Sequence, residues 1–157
     1  MVEDEMTRPA ENTDALKSWI SLLRASSAIK KDVDTMLRSA FDVSISRFDV
    51  LSALERGNRN GLRAGELSRQ LFVSDGNTTQ VMSKLINEGY VLKRTDKNDA
   101  RAVLYSLSDE GKRLFDDMAS VHSDWIQSIF GELTPAEMTI LKSTLDRLKP
   151  KNIDKGR

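Results

Sequence analysis

The sequence contains no cysteine, a single histidine and no net charge, and none of its apolar runs is long enough to span a bilayer. The missing thiols exclude disulfides, a thiolate nucleophile, a thiolate metal site and thiol-based redox sensing. There is also no Gly-rich phosphate loop, no nucleophilic serine motif and no cluster of His, Asp and Glu at metal-ligand spacing. The expectation is therefore a chain that is not an enzyme and needs no metal or cofactor. The opening stretch "MVEDEMTRPAENTD" is acidic where a secretory signal is basic and then apolar, so no membrane partner is expected and the expected location is cytoplasmic.

The zero net charge hides a segregation. Residues 1–55 carry 7 Lys and Arg against 10 Asp and Glu, residues 56–106 carry 9 against 5, and residues 107–157 carry 8 against 9. A basic middle between acidic flanks suits a phosphate-facing module on a non-basic scaffold. At 157 residues the chain suits one domain with a real core.

Periodicity supplies the organisation. Leu16, Trp19, Ile20, Leu23, Ile29, Val33, Met36 and Leu37 recur at three-to-four spacing and predict one long amphipathic helix over residues 13–40. Ser44 or Ser46 can cap a second helix carrying Phe48, Val50, Leu51 and Leu54, which "RGNRNG" ends. A short helix over 64–71, the turn-rich "FVSDGN" and a further helix over about 76–87, closed by Gly89, follow.

Strands are predicted over 90–95 and 101–107, separated by a tip whose residues 94–101 hold five charges. Two short helices joined by a tight turn, then a hairpin with a charged tip, describe a winged helix-turn-helix. In the second of those helices Thr78, Val81, Met82 and Leu85 form an inner stripe, leaving Asn77, Thr79, Gln80, Ser83 and Lys84 outside. Gln and Asn can bond adenine edges, Ser and Thr are tolerant partners, and Lys84 can meet phosphate or guanine. Ser74, ahead of the helix, is read as a phosphate contact or a cap. In the hairpin Lys93, Arg94, Lys97 and Arg101 can face phosphates or the minor groove, and Asp99 can hold the Arg101 guanidinium in a fixed pose. The plainer alternative is that these charges simply keep a hairpin and a helix face solvated.

The stretches "FDVLSAL", "GELSRQLFVSDGNTTQVMSKLINEGYV" and "RTDKNDARAVLYSLSDEGKRLF" together resemble the MarR family of transcription regulators, over roughly residues 13–148. The Asp-x-Arg of the family's wing stands here as Asp99 and Arg101, and "LSDEG", 107–111, matches its Leu-Ser/Thr-x-x-Gly. Gln80 departs from the Arg that many members carry in the reading helix. The resemblance implies a mainly α fold with a small β-wing: a winged-helix core over 44–107, dimerisation helices over 13–40 and 108–148, and tails at 1–12 and 149–157. It also implies a homodimer with two reading heads on one pseudo-palindromic double-stranded DNA operator. The rival reading is a winged-helix dimer that acts as a protein- or RNA-interaction module, since a fold alone assigns no function.

Residues beyond the hairpin carry Leu114, Phe115, Met118, Val121, Trp125, Ile126, Ile129 and Phe130 in a stripe too wide for a helix flanking a small domain alone. "LTPAE" then starts a last helix, with Thr134 as cap, Pro135 in its first turn and Glu137 completing a capping box. The family resemblance further implies release of DNA by a small-molecule effector, an aromatic acid or its thioester. Trp19, Leu23, Arg24, Phe48, Met118, His122 and Trp125 are the residues that could supply stacking walls and donors for it. The alternative for each is dimer core, or, for His122, ordinary helix packing.

Overall fold

Capping chemistry and apolar spacing set eight elements in the computed structural model, which describes residues 13–57, 59–72 and 77–148. They are α1 (Thr13–Phe41), α2 (Ile45–Arg56), α3 (Ala64–Gln70), α4 (Thr78–Asn87), β1 (Val91–Thr95), β2 (Val103–Leu107), α5 (Asp109–Phe130) and α6 (Pro135–Arg147). The fold is mainly helical with one two-stranded antiparallel sheet, as the sequence implies. The expected tails and Ser74 lie outside the described residues.

The chain reverses between α1 and α2 at Asp42, whose φ of 56° is left-handed, a conformation Asp tolerates. Of the two candidate serines, Ser44 is the cap: its Oγ accepts the Arg47 N–H at 3.3 Å. Asp34 of α1 reaches across to accept the Ile45 N–H at 2.8 Å. Helix α4 ends in a Schellman arrangement, with Gly89 at φ 80° while the Gly89 and Tyr90 N–H groups donate to the carbonyls of Ile86 and Leu85.

The chain divides into two compact units, 1–118 and 119–157, with the division inside α5. The first has a core to which each of its helices and β1 contribute: Leu37 of α1, Leu51 of α2, Leu67 of α3, Leu85 of α4, Val91 of β1 and Met118 of α5 are all fully buried. Phe48 and Phe115 stack with centroids 5.8 Å apart. The hairpin runs straight into α5, and its base is tightly packed. Ser108 Oγ accepts the Gly111 N–H at 3.0 Å and donates to the Gly89 carbonyl at 2.6 Å. A Cβ on Gly111 would stand 2.0 Å from the Tyr90 carbonyl oxygen, so the last residue of "LSDEG" admits only glycine.

In the second unit the capping box at Thr134 forms as expected, with Thr134 Oγ1 accepting from Glu137 N–H and the Glu137 carboxylate accepting from Thr134 N–H at 2.8 Å. That hydrogen bond holds the Glu137 carboxyl below the usual carboxylate range. The remainder of α5 and α6 frame an apolar groove of about 620 Å³ lined by Ile126, Phe130, Leu133, Pro135 and Met138. Among the described residues no helix is long and apolar enough to cross a membrane.

Candidate nucleic-acid interface

Helix α4 presents the polar face expected of it. Met82 and Leu85 are buried, Thr78 and Val81 are half-buried, and Asn77, Thr79, Gln80, Ser83 and Lys84 are exposed. Two local bonds organise that face: Asn77 Nδ2 donates to Gln80 Oε1 at 2.6 Å, and Ser83 Oγ donates to the Thr79 carbonyl at 3.0 Å. Arg47 of α2 pairs with Glu88 at the end of α4 and so ties the helix's C-terminus to α2.

Residues 70–72, at the end of α3, are held by residues that local sequence patterns do not single out. Asp49 of α2 is only 5% exposed, and its carboxylate accepts the Phe72 N–H at 2.8 Å. Arg56 donates to the Gln70 carbonyl at 3.1 Å and lies over the Phe72 ring, 5.0 Å from its centroid. That cation–π contact covers one face of a Phe72 ring that is otherwise 82% exposed.

The hairpin pairs Val91 with Leu107 through Thr95 with Val103, so β1 and β2 start one and two residues later than the sequence predicts. Arg101 and Ala102 belong to the tip instead. The Asp96 N–H donates to the Ala102 carbonyl and the Ala102 N–H to the Asp99 carbonyl, each at 2.9 Å, which closes a compact loop. Lys93, Arg94, Lys97 and Arg101 are all exposed, and Arg94 donates to the Asn60 carbonyl.

Asp99 departs from its expected role. Its Oδ1 accepts the backbone N–H of Arg101 at 3.1 Å, and among the described residues its ion-pair partner is Arg63, at 3.9 Å, not the Arg101 guanidinium. A carboxylate two residues ahead of an amide in a tight turn reaches that amide first. Asp96 repeats the pattern: Oδ1 accepts from Asn98 N–H at 3.0 Å while Oδ2 meets Arg63 at 3.0 Å. These contacts, the backbone bond first and then Arg63, hold the Asp96 carboxyl below its ordinary range.

Of the residues considered for an effector, Phe48 and Met118 are buried in the core of the first unit, whereas Trp19, Leu23 and Arg24 are exposed on α1. His122 is half-buried and Trp125 is exposed in the second unit. Burial pushes the His122 imidazole down, so at neutral pH it offers a neutral ring, not a cation. Among the described residues no group of three or more His, Asp or Glu side chains is placed to hold a metal ion.

The profile of the MarR family matches residues 41–102, from the end of α1 into the wing tip. The chain is 30% identical over 149 residues to the HTH-type transcriptional regulator SarZ of Staphylococcus epidermidis, covering 92% of this chain and 95% of that protein. A MarR family transcriptional regulator from Streptomyces coelicolor, solved in complex with DNA, superposes with a TM-score of 0.77 at 21% identity, over 94% of this chain and 95% of that one. A mutant MarR from E. coli complexed with operator DNA superposes with a TM-score of 0.70 at 26% identity, over 85% of this chain and 96% of that one.

Proposed function

Because the chain belongs to the MarR family of DNA-binding transcription regulators, we propose that it acts as a homodimeric, ligand-responsive repressor on a pseudo-palindromic operator. The observation that carries this reading is the joint exposure of the polar α4 face and four wing cations in one compact unit. In it, α4 lies in the major groove and the wing reaches phosphates and the adjacent minor groove.

The Asn77–Gln80 bond suits base reading. With Gln80 Oε1 occupied, the pair still offers a Gln80 N–H donor and the Asn77 carbonyl acceptor, which match N7 and N6 of adenine. Lys84 neutralises a phosphate or bonds guanine, Thr79 and Ser83 flank them, and Ser74 meets phosphate ahead of the helix. Lys93, Arg94, Lys97 and Arg101 supply the wing's charge.

Dimerisation is supported by apolar side chains that the chain leaves exposed: Leu16, Trp19, Ile20 and Leu23 on α1, Val121 and Trp125 on α5, and Met138, Ile140, Leu145 and Leu148 on α6 or its cap. A second copy covers them. Release by an aromatic or acidic metabolite is the effector part of the reading, with Trp19 and Arg24 of α1 and His122 and Trp125 of α5 as candidate contacts to be tested one by one.

Mapping the protein's genomic binding sites, then measuring affinity for the recovered duplex against salt, tests the reading. Selective binding that falls steeply with salt supports it; salt-insensitive association with protein and no duplex preference overturns it. Titrating phenolic acids and their thioesters into the operator complex, and repeating with Arg24→Ala and His122→Ala, tests the effector. Release by none of them leaves a constitutive DNA binder.

A further inference from the structure

Arg63 lies outside both the helix proposed to read bases and the hairpin that carries the wing, yet its side chain reaches the wing tip. It occupies the residue before α3, where its backbone N–H donates to the Glu66 carboxylate at 2.8 Å. An arginine side chain has no acceptor, so it cannot return that bond, and the guanidinium is left to point elsewhere. It reaches Asp96 at 3.0 Å and Asp99 at 3.9 Å, the two carboxylates whose other oxygens fold the wing tip. One residue away, Leu62 exchanges two backbone hydrogen bonds with Tyr105 of β2, and Asn60 receives Arg94. The segment 60–63 therefore grips the hairpin at its middle and at its tip.

We infer that Arg63 is a positioning residue for DNA binding: it braces the wing tip to the start of α3 through Asp96 and Asp99, and so sets where Lys97 and Arg101 stand relative to the α4 reading face. The Asn98 N–H and then Arg63 both favour the Asp96 carboxylate and hold its carboxyl below the ordinary range. Without Arg63 the two tip carboxylates lose the cation they share, and the loop keeps only its local turn bonds. The inference rests on the DNA-binding reading for its consequence, but the brace itself exists in the free protein.

Charge and positioning predict opposite signs. By charge alone Asp96→Asn removes a negative group beside phosphates and tightens DNA binding. As part of a brace, its loss weakens binding. Affinity of the full-length protein for its recovered operator duplex is measured for wild type, Arg63→Gln, Arg63→Lys, Asp96→Asn and the double variant, with thermal melting as a fold control. The expected result is about a tenfold loss for Arg63→Gln, a smaller loss for Asp96→Asn, a double variant no weaker than Arg63→Gln alone, partial recovery with Arg63→Lys, and a salt slope close to wild type. Tighter binding by Asp96→Asn, additive losses, or a salt slope reduced by about one in Arg63→Gln would make Arg63 a direct phosphate contact and overturn the brace.

Hydrogen exchange at the Asp96 and Ala102 amides, without DNA, is the second arm. Arg63→Gln should speed both at least fivefold, and unchanged exchange overturns the brace. If wild type binds no duplex at all, the DNA-binding reading falls while exchange still decides whether Arg63 holds the wing.

Discussion

Residues 33–118 and the stretches on either side of them are built from similar amphipathic helices, yet they differ in what they bury. Every buried side chain among the described residues lies within 33–118; residues 13–32 and 119–148 have none. The first half of α1 and α6 nevertheless carry Leu16, Trp19, Ile20, Met138, Leu141 and Leu145 at helical spacing. An apolar stripe can thus specify a helix without specifying a core. The middle of the chain is self-sufficient for packing, whereas its ends hold apolar surface suited to a second copy.

The sharpest way to break this contrast is to truncate one residue in each region. Leu51→Ala removes a fully buried side chain and should cost about 2–5 kcal/mol at any protein concentration, read from denaturant unfolding. Trp125→Ala should leave that core intact and instead make the melting temperature more dependent on concentration. Equal, concentration-independent losses would erase the distinction.

Within the self-sufficient middle, Arg101→Ala should weaken operator binding about tenfold, or about 1.4 kcal/mol, with fold and oligomeric state unchanged by melting and by light scattering. Asp99→Ala should act more mildly, through the Arg101 backbone and Arg63 and not through the Arg101 side chain. Smaller again is Thr134→Ala at the start of α6, expected to cost about 1 kcal/mol of helix stability through lost capping. Its effect should be visible mainly in the concentration dependence of melting. Lys84→Ala should lower the salt slope by about one on all sequences alike, whereas Gln80→Ala should relax base preference; equal losses on operator and random duplex would remove Gln80 from base reading.

The smallest effect is that of pH on the wing. A carboxyl held below its ordinary value in the folded protein contributes fully above the unfolded value, about 3.9 for Asp, and loses that contribution as pH falls through the folded value. The Asp96 brace should therefore persist through neutral and mildly acidic solution. Exchange at the Ala102 amide that quickens only below that range is the expected signature.

Much of this architecture was legible from neighbouring residues. Ser44, Gly89 and Thr134 cap or close helices by contacts within a few positions, and the α4 face separates cleanly because 3.6 residues per turn fixes what shares a side. The stripe in α1 marks a helix without marking its burial: Val33 and Leu37 are buried, Ile29 and Met36 half-buried, and Leu16, Trp19, Ile20 and Leu23 exposed. What escaped sequence reasoning is non-local. Arg63 meets Asp96 across 33 positions and Asp49 meets the Phe72 amide across 23, and no spacing rule links such residues. Asp99 departs from its expected pairing for a local and a non-local reason at once: one oxygen takes the nearby Arg101 amide and the other faces Arg63, 36 positions away in sequence. The neighbouring Asp96 and Asp99, each two residues ahead of an amide they cap, were the available signal.

The Leu62–Tyr105 contact has a consequence for self-association. Leu62 covers the outer edge of β2 at Tyr105, while among the described residues β1 pairs only with β2 and exposes Leu92. An open strand edge beside an exposed leucine is a template on which a second chain can add, and charged neighbours blunt it. Lys93 and Arg94 are exposed charges on that strand, and charges so placed discourage ribbon formation. Replacing Lys93 by valine should drive turbidity at high concentration in the absence of DNA, so a polar glutamine is the substitution that isolates its contribution to binding.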